Sequence, residues 1–178
     1  MNPILKKFLK NIRDKGKKIV KGEFIYYKFE NPEEILNTLV FNNFLLHGSS
    51  RKIVGKLIPH LANDQSKEFG NQNAIYLTSV PLSAMFSSLT GGVKDIGKTI
   101  NQKKTSKGVD KKIKYKNTYF AVSCINKIRD KGYVYVFPRS VADSNEHNEF
   151  IAKKPIKPEL IIEIERKDFP FTIEKIAE

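Results

Sequence analysis

Three short fragments hold residues whose types and spacing could do chemistry. Residues 45–50, Leu-Leu-His-Gly-Ser-Ser, put His47 at the end of an apolar run with a glycine straight after it. Glycine there lets a ligand approach the backbone closely, so its N–H and C=O can recognise an amide. Residues 74–79, Ala-Ile-Tyr-Leu-Thr-Ser, set Tyr76 on a strand just ahead of a helix start, with its ring available to stack on a flat heterocycle. Residues 146–149, Glu-His-Asn-Glu, lie where a polar loop turns into an extended segment. Glu146 and Glu149 both compete for a catalytic part there, and Glu149 is preferred because Phe150 and Ile151 carry it into an apolar run. Taken singly, each fragment fits ordinary structural roles.

Their order says more. A strand ending His-Gly, a strand Tyr-x-Thr before a helix, and a late glutamate resemble the ADP-ribosyltransferase superfamily. Within it the pattern is similar to the His-Tyr-Glu branch, the diphtheria-toxin-like and poly(ADP-ribose) polymerase-like enzymes. The stretch 133–138, Tyr-Val-Tyr-Val-Phe-Pro, and the run from Glu149 through 154–158, Lys-Pro-Ile-Lys-Pro, resemble the later sheet of that family. The resemblance covers about residues 40–170 and implies a split β-sheet core with flanking helices. It also implies NAD as substrate and cleavage of the bond between nicotinamide and ribose. That step develops oxocarbenium character on the sugar, which a carboxylate near the ribose stabilises.

On this resemblance Glu149 is the catalytic carboxylate and Tyr76 stacks on nicotinamide. His47 bonds a ribose hydroxyl, the Gly48 backbone holds the carboxamide, and Ser49 and Thr78 are lesser contacts. Two residues before Glu149 stands His147 rather than the glutamate of arginine-modifying relatives, and an extended strand would put both side chains on one face. The expected activity is transfer of ADP-ribose to a protein or nucleic acid, or hydrolysis of NAD where no acceptor arrives. Two rival readings keep the fold: a non-catalytic nucleic-acid-binding module, and an NAD-dependent RNA 2′-phosphotransferase. The second needs arginines for a phosphate, and Arg51 alone stands near the first fragment.

The elements that would position these residues are legible in outline. Ile4, Leu5, Phe8, Leu9 and Ile12 fall on one helical face, and residues 1–22 hold eight basic side chains against Asp14. This first unit reads as a basic amphipathic helix, and residues 23–178 as the main domain. Residues 23–30 suit a strand. Asn31, Pro32, Glu33 and Glu34 are a helix start, carrying Ile35, Leu36, Leu39 and Val40 inward. A helix over 81–89 should bury Ala84, Met85 and Phe86, with a cap at or near Ser79 and a stop at Gly91-Gly92. The segments 118–125, 132–137 and 159–165 read as strands, the last with Glu163 and Glu165 on a solvated face. The fold class is α+β.

Composition sets the bounds. An apolar fraction of 40% over 178 residues builds a core and excludes wholesale disorder. The net charge of +13 implies a polyanionic neighbour. Nine lysines fall in 93–117 against Asp95 and Asp110, a long polar loop expected to hold an acceptor protein or nucleic acid. One cysteine, Cys124, excludes an intramolecular disulfide and reads as a buried thiol. With three histidines, no Cys/His zinc cluster of the usual spacing can be assembled, so no metal is expected. His60 reads as a surface residue. No transmembrane stretch and no signal peptide are visible, and the chain reads as cytosolic where it is made.

Overall fold

The computed structural model describes residues 3–61, 72–91, 99–103, 118–122 and 125–175. Cys124 and most of 93–117 lie outside the described residues. Helix α1 (Pro3–Asp14) buries Leu9 and Ile12 and stacks Phe8 against Phe44, ring centres 6.0 Å apart. It is shorter than the sequence predicts. Past Gly16 the chain becomes strand β1 (Lys17–Lys21), paired antiparallel with β2 (Phe24–Lys28) over all five residues. The basic helix expected over 1–22 is thus a helix followed by a strand. Ile19 and Val20 are β-branched and gain ladder partners in Tyr26 and Ile25.

Helix α2 (Pro32–Phe41) begins as its sequence demands. Asn31 accepts the Glu34 backbone N–H at 3.3 Å, Pro32 takes the first helical position, and Glu33 and Glu34 meet the positive end of the dipole. The helix ends at Asn42, and Asn43 is left-handed at φ 64°. Strands β3 (Phe44–Ser49), β4 (His60–Leu61) and β5 (Asn73–Thr78) follow. Helix α3 (Pro81–Thr90) starts at Val80 without a side-chain cap, so the Ser79 cap is not made. Thr78 Oγ1 instead accepts the Val80 N–H at 3.0 Å. Gly91, at φ 73°, closes the helix as expected.

The later strands are β6 (Thr99–Lys103), β7 (Thr118–Val122), β8 (Lys131–Pro138), β9 (Ser144–Glu146), β10 (Glu149–Ala152), β11 (Leu160–Glu165) and β12 (Ile173–Lys175). One mixed sheet runs β1-β2-β11-β8-β3-β5-β10-β9, with β4 also on β5, and a smaller sheet runs β12-β7-β6. Side chains alternate between two apolar clusters. On one face Leu46, Val134, Val136, Ile162 and Ile164 pack with α1, α2 and α3. On the other, Leu45, Ile75, Leu77, Tyr135, Phe137 and Phe150 lie under the segments that carry Leu57 and Ile156. Those two segments are tied by reciprocal backbone hydrogen bonds between Leu57 and Ile156.

Two glycines let α3 lie directly on the sheet. A Cβ on Gly48 would sit 2.0 Å from the Ala84 carbonyl oxygen, and one on Gly132 would sit 2.0 Å from that of Ser88. On β11, beside Gly132, Glu163 corrects the expected solvated face. It is 4% exposed and paired with Lys28 at 2.5 Å and Lys131 at 3.5 Å, while Glu165 remains partly exposed. The Lys28 ammonium comes from β2, which runs parallel beside β11.

Candidate functional site

The site begins as a defect in the sheet. β10 covers one edge of β5 over four residues, from Glu149↔Thr78 to Ala152↔Ile75. The other edge is shared: β3 takes only Thr78, through Leu46, and β4 takes Ala74 and Asn73. Between those partners no described strand pairs with the edge at residues 75–77. The imidazole of His47 fills part of the gap, with Nδ1 2.8 Å from the Tyr76 carbonyl oxygen. A carbonyl only accepts, so Nδ1 carries the proton and neutral His47 has its lone pair on Nε2. Burial pushes the His47 pKa below its ordinary value, the bond to Tyr76 opposes that, and His60 adds a smaller depression.

A cavity of about 890 Å³ opens at this gap. Its walls include His47, Gly48, Ser49, Tyr76, Thr78 and Glu149, but not Glu146 or His147. They arrive from different faces. His47 lies opposite Tyr135 on the face of Leu45, whereas Tyr76 pairs with Ile151 and Thr78 with Glu149 on the helix side. Without the open edge the sheet would separate them. Tyr76 is held at its far end, its hydroxyl accepting the Gln72 N–H at 2.9 Å and donating to the Gln72 carbonyl at 3.2 Å.

The two glutamates part company here. Glu146 is exposed on β9 opposite Glu149 but does not line the cavity, whereas Glu149 does. His147 is not on a strand face with Glu149, as an extended chain would place it. It is the first residue of the two-residue β9–β10 turn, left-handed at φ 53° and exposed. The tight hairpin re-aims it. Gly48 also has a second reason to be glycine, because the space its side chain would fill is taken by the backbone of α3.

Other wall residues were not foreseen. Ser83 and Ser87 stand one turn apart on α3, and two serines at i, i+4 were the available signal. Asn148 is tied to the start of α3: its carbonyl accepts the Ser79 N–H at 3.0 Å, and its Oδ1 the Ser79 hydroxyl at 3.3 Å. Arg51 and His60 complete one side. Exposed His60 is thus a surface residue that also borders the site, which no local pattern announced.

The loop after β3 is fixed from beneath by Tyr135. Its buried hydroxyl accepts the Ile53 N–H at 2.7 Å and donates to the Arg51 carbonyl at 2.8 Å. Burial pushes this phenol up to about 12, so it stays protonated and keeps donating.

No family model, curated protein or solved structure matches this chain. What the site can do follows from its own atoms. It offers a flat aromatic ring, an imidazole acceptor, hydroxyls at Ser49, Thr78, Ser83 and Ser87, and a carboxylate at Glu149. Among the described residues no cluster of three His, Cys, Asp or Glu side chains could hold a metal ion. No helix among them is long and apolar enough to cross a membrane.

Proposed function

We propose that the chain is an NAD-dependent ADP-ribosyltransferase that transfers ADP-ribose to a macromolecular acceptor, protein or nucleic acid. One observation carries this reading: His47, Tyr76 and Glu149, from β3, β5 and β10, line a single cavity. Its volume suits a small-molecule site, for which roughly 300–1,000 Å³ is usual. NAD supplies two groups that the walls fit, a flat nicotinamide for the Tyr76 ring and ribose hydroxyls for the His47 Nε2 acceptor. The Gly48 backbone, Ser49 and Thr78 offer further polar contacts.

NAD is the substrate. The bond between the nicotinamide nitrogen and C1′ breaks with both electrons passing to the ring nitrogen, which loses its positive charge. An acceptor oxygen or nitrogen bonds to C1′ and releases its proton. Glu149 stabilises the oxocarbenium character in between and holds a ribose hydroxyl. Water in place of the acceptor gives hydrolysis.

The test is nicotinamide release by the purified chain beside Glu149→Gln. Wild type releases nicotinamide, and the variant loses about 10²–10³-fold in kcat with its KM for NAD little changed, as removal of one transition-state contact does. Release that survives the substitution overturns the role of Glu149. Absence of release from folded wild type, with protein and RNA acceptors supplied, overturns the enzyme reading in favour of a binding module.

A further inference from the structure

Away from the cavity, one end of the molecule is loaded with unpaired charge. α1 exposes Lys6, Lys7 and Lys10, the link to the sheet exposes Lys15, and β1 exposes Lys17, Lys18 and Lys21. Asp14 is the sole acid in 3–22, and none of the seven lysines forms a salt bridge among the described residues.

The local fold does not explain this distribution. α1 has no acid in its first turn, and Lys6 and Lys7 stand near the positive end of its dipole, where cations are unfavourable. Lys6 and Lys10 are a like-charge i, i+4 pair, which also weakens a helix. Lysines on β1, the terminal strand of the sheet order, can be credited to blocking edge-to-edge association. Those on α1 cannot.

We infer that α1 and β1 form a docking surface for a nucleic-acid duplex, gripped through its phosphates and without reading its sequence. This inference is independent of the enzyme reading. Three observations select that partner among polyanions. A membrane-surface helix needs a free apolar face, and that of α1 is spent: Leu9 and Ile12 are in the core, with Leu5 and Phe8 packed against it. An acidic protein would meet an apolar interface centre depleted in charge, but here the exposed apolar residues amount to Ile4 and one cross-strand pair, Val20 and Ile25, with Lys18 and Lys21 beside it on β1.

A single strand would gain by stacking on exposed aromatics. Phe24 and Tyr26 are buried, and Tyr27 is half-buried and stacks on Phe29. Sequence readout rests chiefly on arginine forks, and the one arginine here, Arg13, gives its guanidinium to the Glu159 carbonyl. What remains is a set of point charges suited to phosphates.

The experiment measures binding of a short mixed-sequence duplex by fluorescence anisotropy across salt, for the full chain and two triple variants. These are Lys6→Gln/Lys7→Gln/Lys10→Gln and Lys17→Gln/Lys18→Gln/Lys21→Gln. Circular dichroism checks their fold and nicotinamide release checks the distant cavity. Wild type should bind at low salt and lose affinity steeply between about 50 and 200 mM. Each variant should flatten the plot of log K against log salt by about 0.9 for every phosphate contact removed, whatever the duplex sequence. Unchanged affinity and slope in both folded variants overturn the proposal. So does a wild type that ignores the duplex at low salt, or that binds phosphatidylserine vesicles at least as tightly as the duplex.

Discussion

His47 shows how much one hydrogen bond can decide. Because Nδ1–H is committed to the Tyr76 carbonyl, only Nε2 is left to meet a ligand, and only while the ring is neutral. Burial favours the neutral form, so the folded pKa lies below the ordinary 6.5. The sign follows. Between 6.5 and the folded value, the unfolded histidine takes up a proton that the folded one refuses. Stability is therefore full above 6.5 and declines as pH falls through that window. Ligand binding holds further down, until the folded ring itself protonates. The acid limb of kcat/KM for nicotinamide release should lie below 6.5 for wild type, and a limb at or above 6.5 would contradict the assignment.

Among the elements, the loop joining β3 to β4 is the wall that can be loosened without touching the reacting groups. It hangs on the Tyr135 hydroxyl, which serves the Ile53 N–H and the Arg51 carbonyl together. Tyr135→Phe removes both bonds, at a cost of about 1–3 kcal/mol. Tyr135 is a positioning residue, so the variant should raise KM for NAD with kcat nearly intact, measured by nicotinamide release against NAD concentration. A fall in kcat alone would give Tyr135 another role. On the neighbouring strands β2 and β11, Lys28→Met leaves the buried Glu163 carboxylate with Lys131, at 3.5 Å, as its remaining ion-pair partner among the described residues. About 3 kcal/mol should be lost in a urea titration. The double variant Lys28→Met/Glu163→Leu should recover most of it.

For the whole molecule, legibility in the sequence tracked the range of the causing interaction. α2 was readable because Asn31, Pro32, Glu33 and Glu34 act on backbone groups within one turn. The alternating strands β8 and β11 were readable from period-two patterning. β1 was not, since five residues with three lysines resemble the tail of a helix until β2 pairs with them. The burial of Glu163 was hidden too, because its partner Lys28 belongs to a strand far away in sequence. At the site, the residue types and their order were visible, and their meeting was not. That depends on β3 and β4 dividing one edge of β5, a property of the assembled sheet. The turn that removes His147 from the face of Glu149 was equally invisible to a reading that assumed extended chain.

The seat of α3 on Gly48 and Gly132 changes what mutagenesis can ask of this site. A methyl group at either position must displace helix backbone, so a Gly48 variant loses its helix before it loses a ligand. Its inactivity would carry no information about the amide that Gly48 was expected to hold. That question has to be put from the other partner, with an NAD analogue lacking the carboxamide offered to the intact chain.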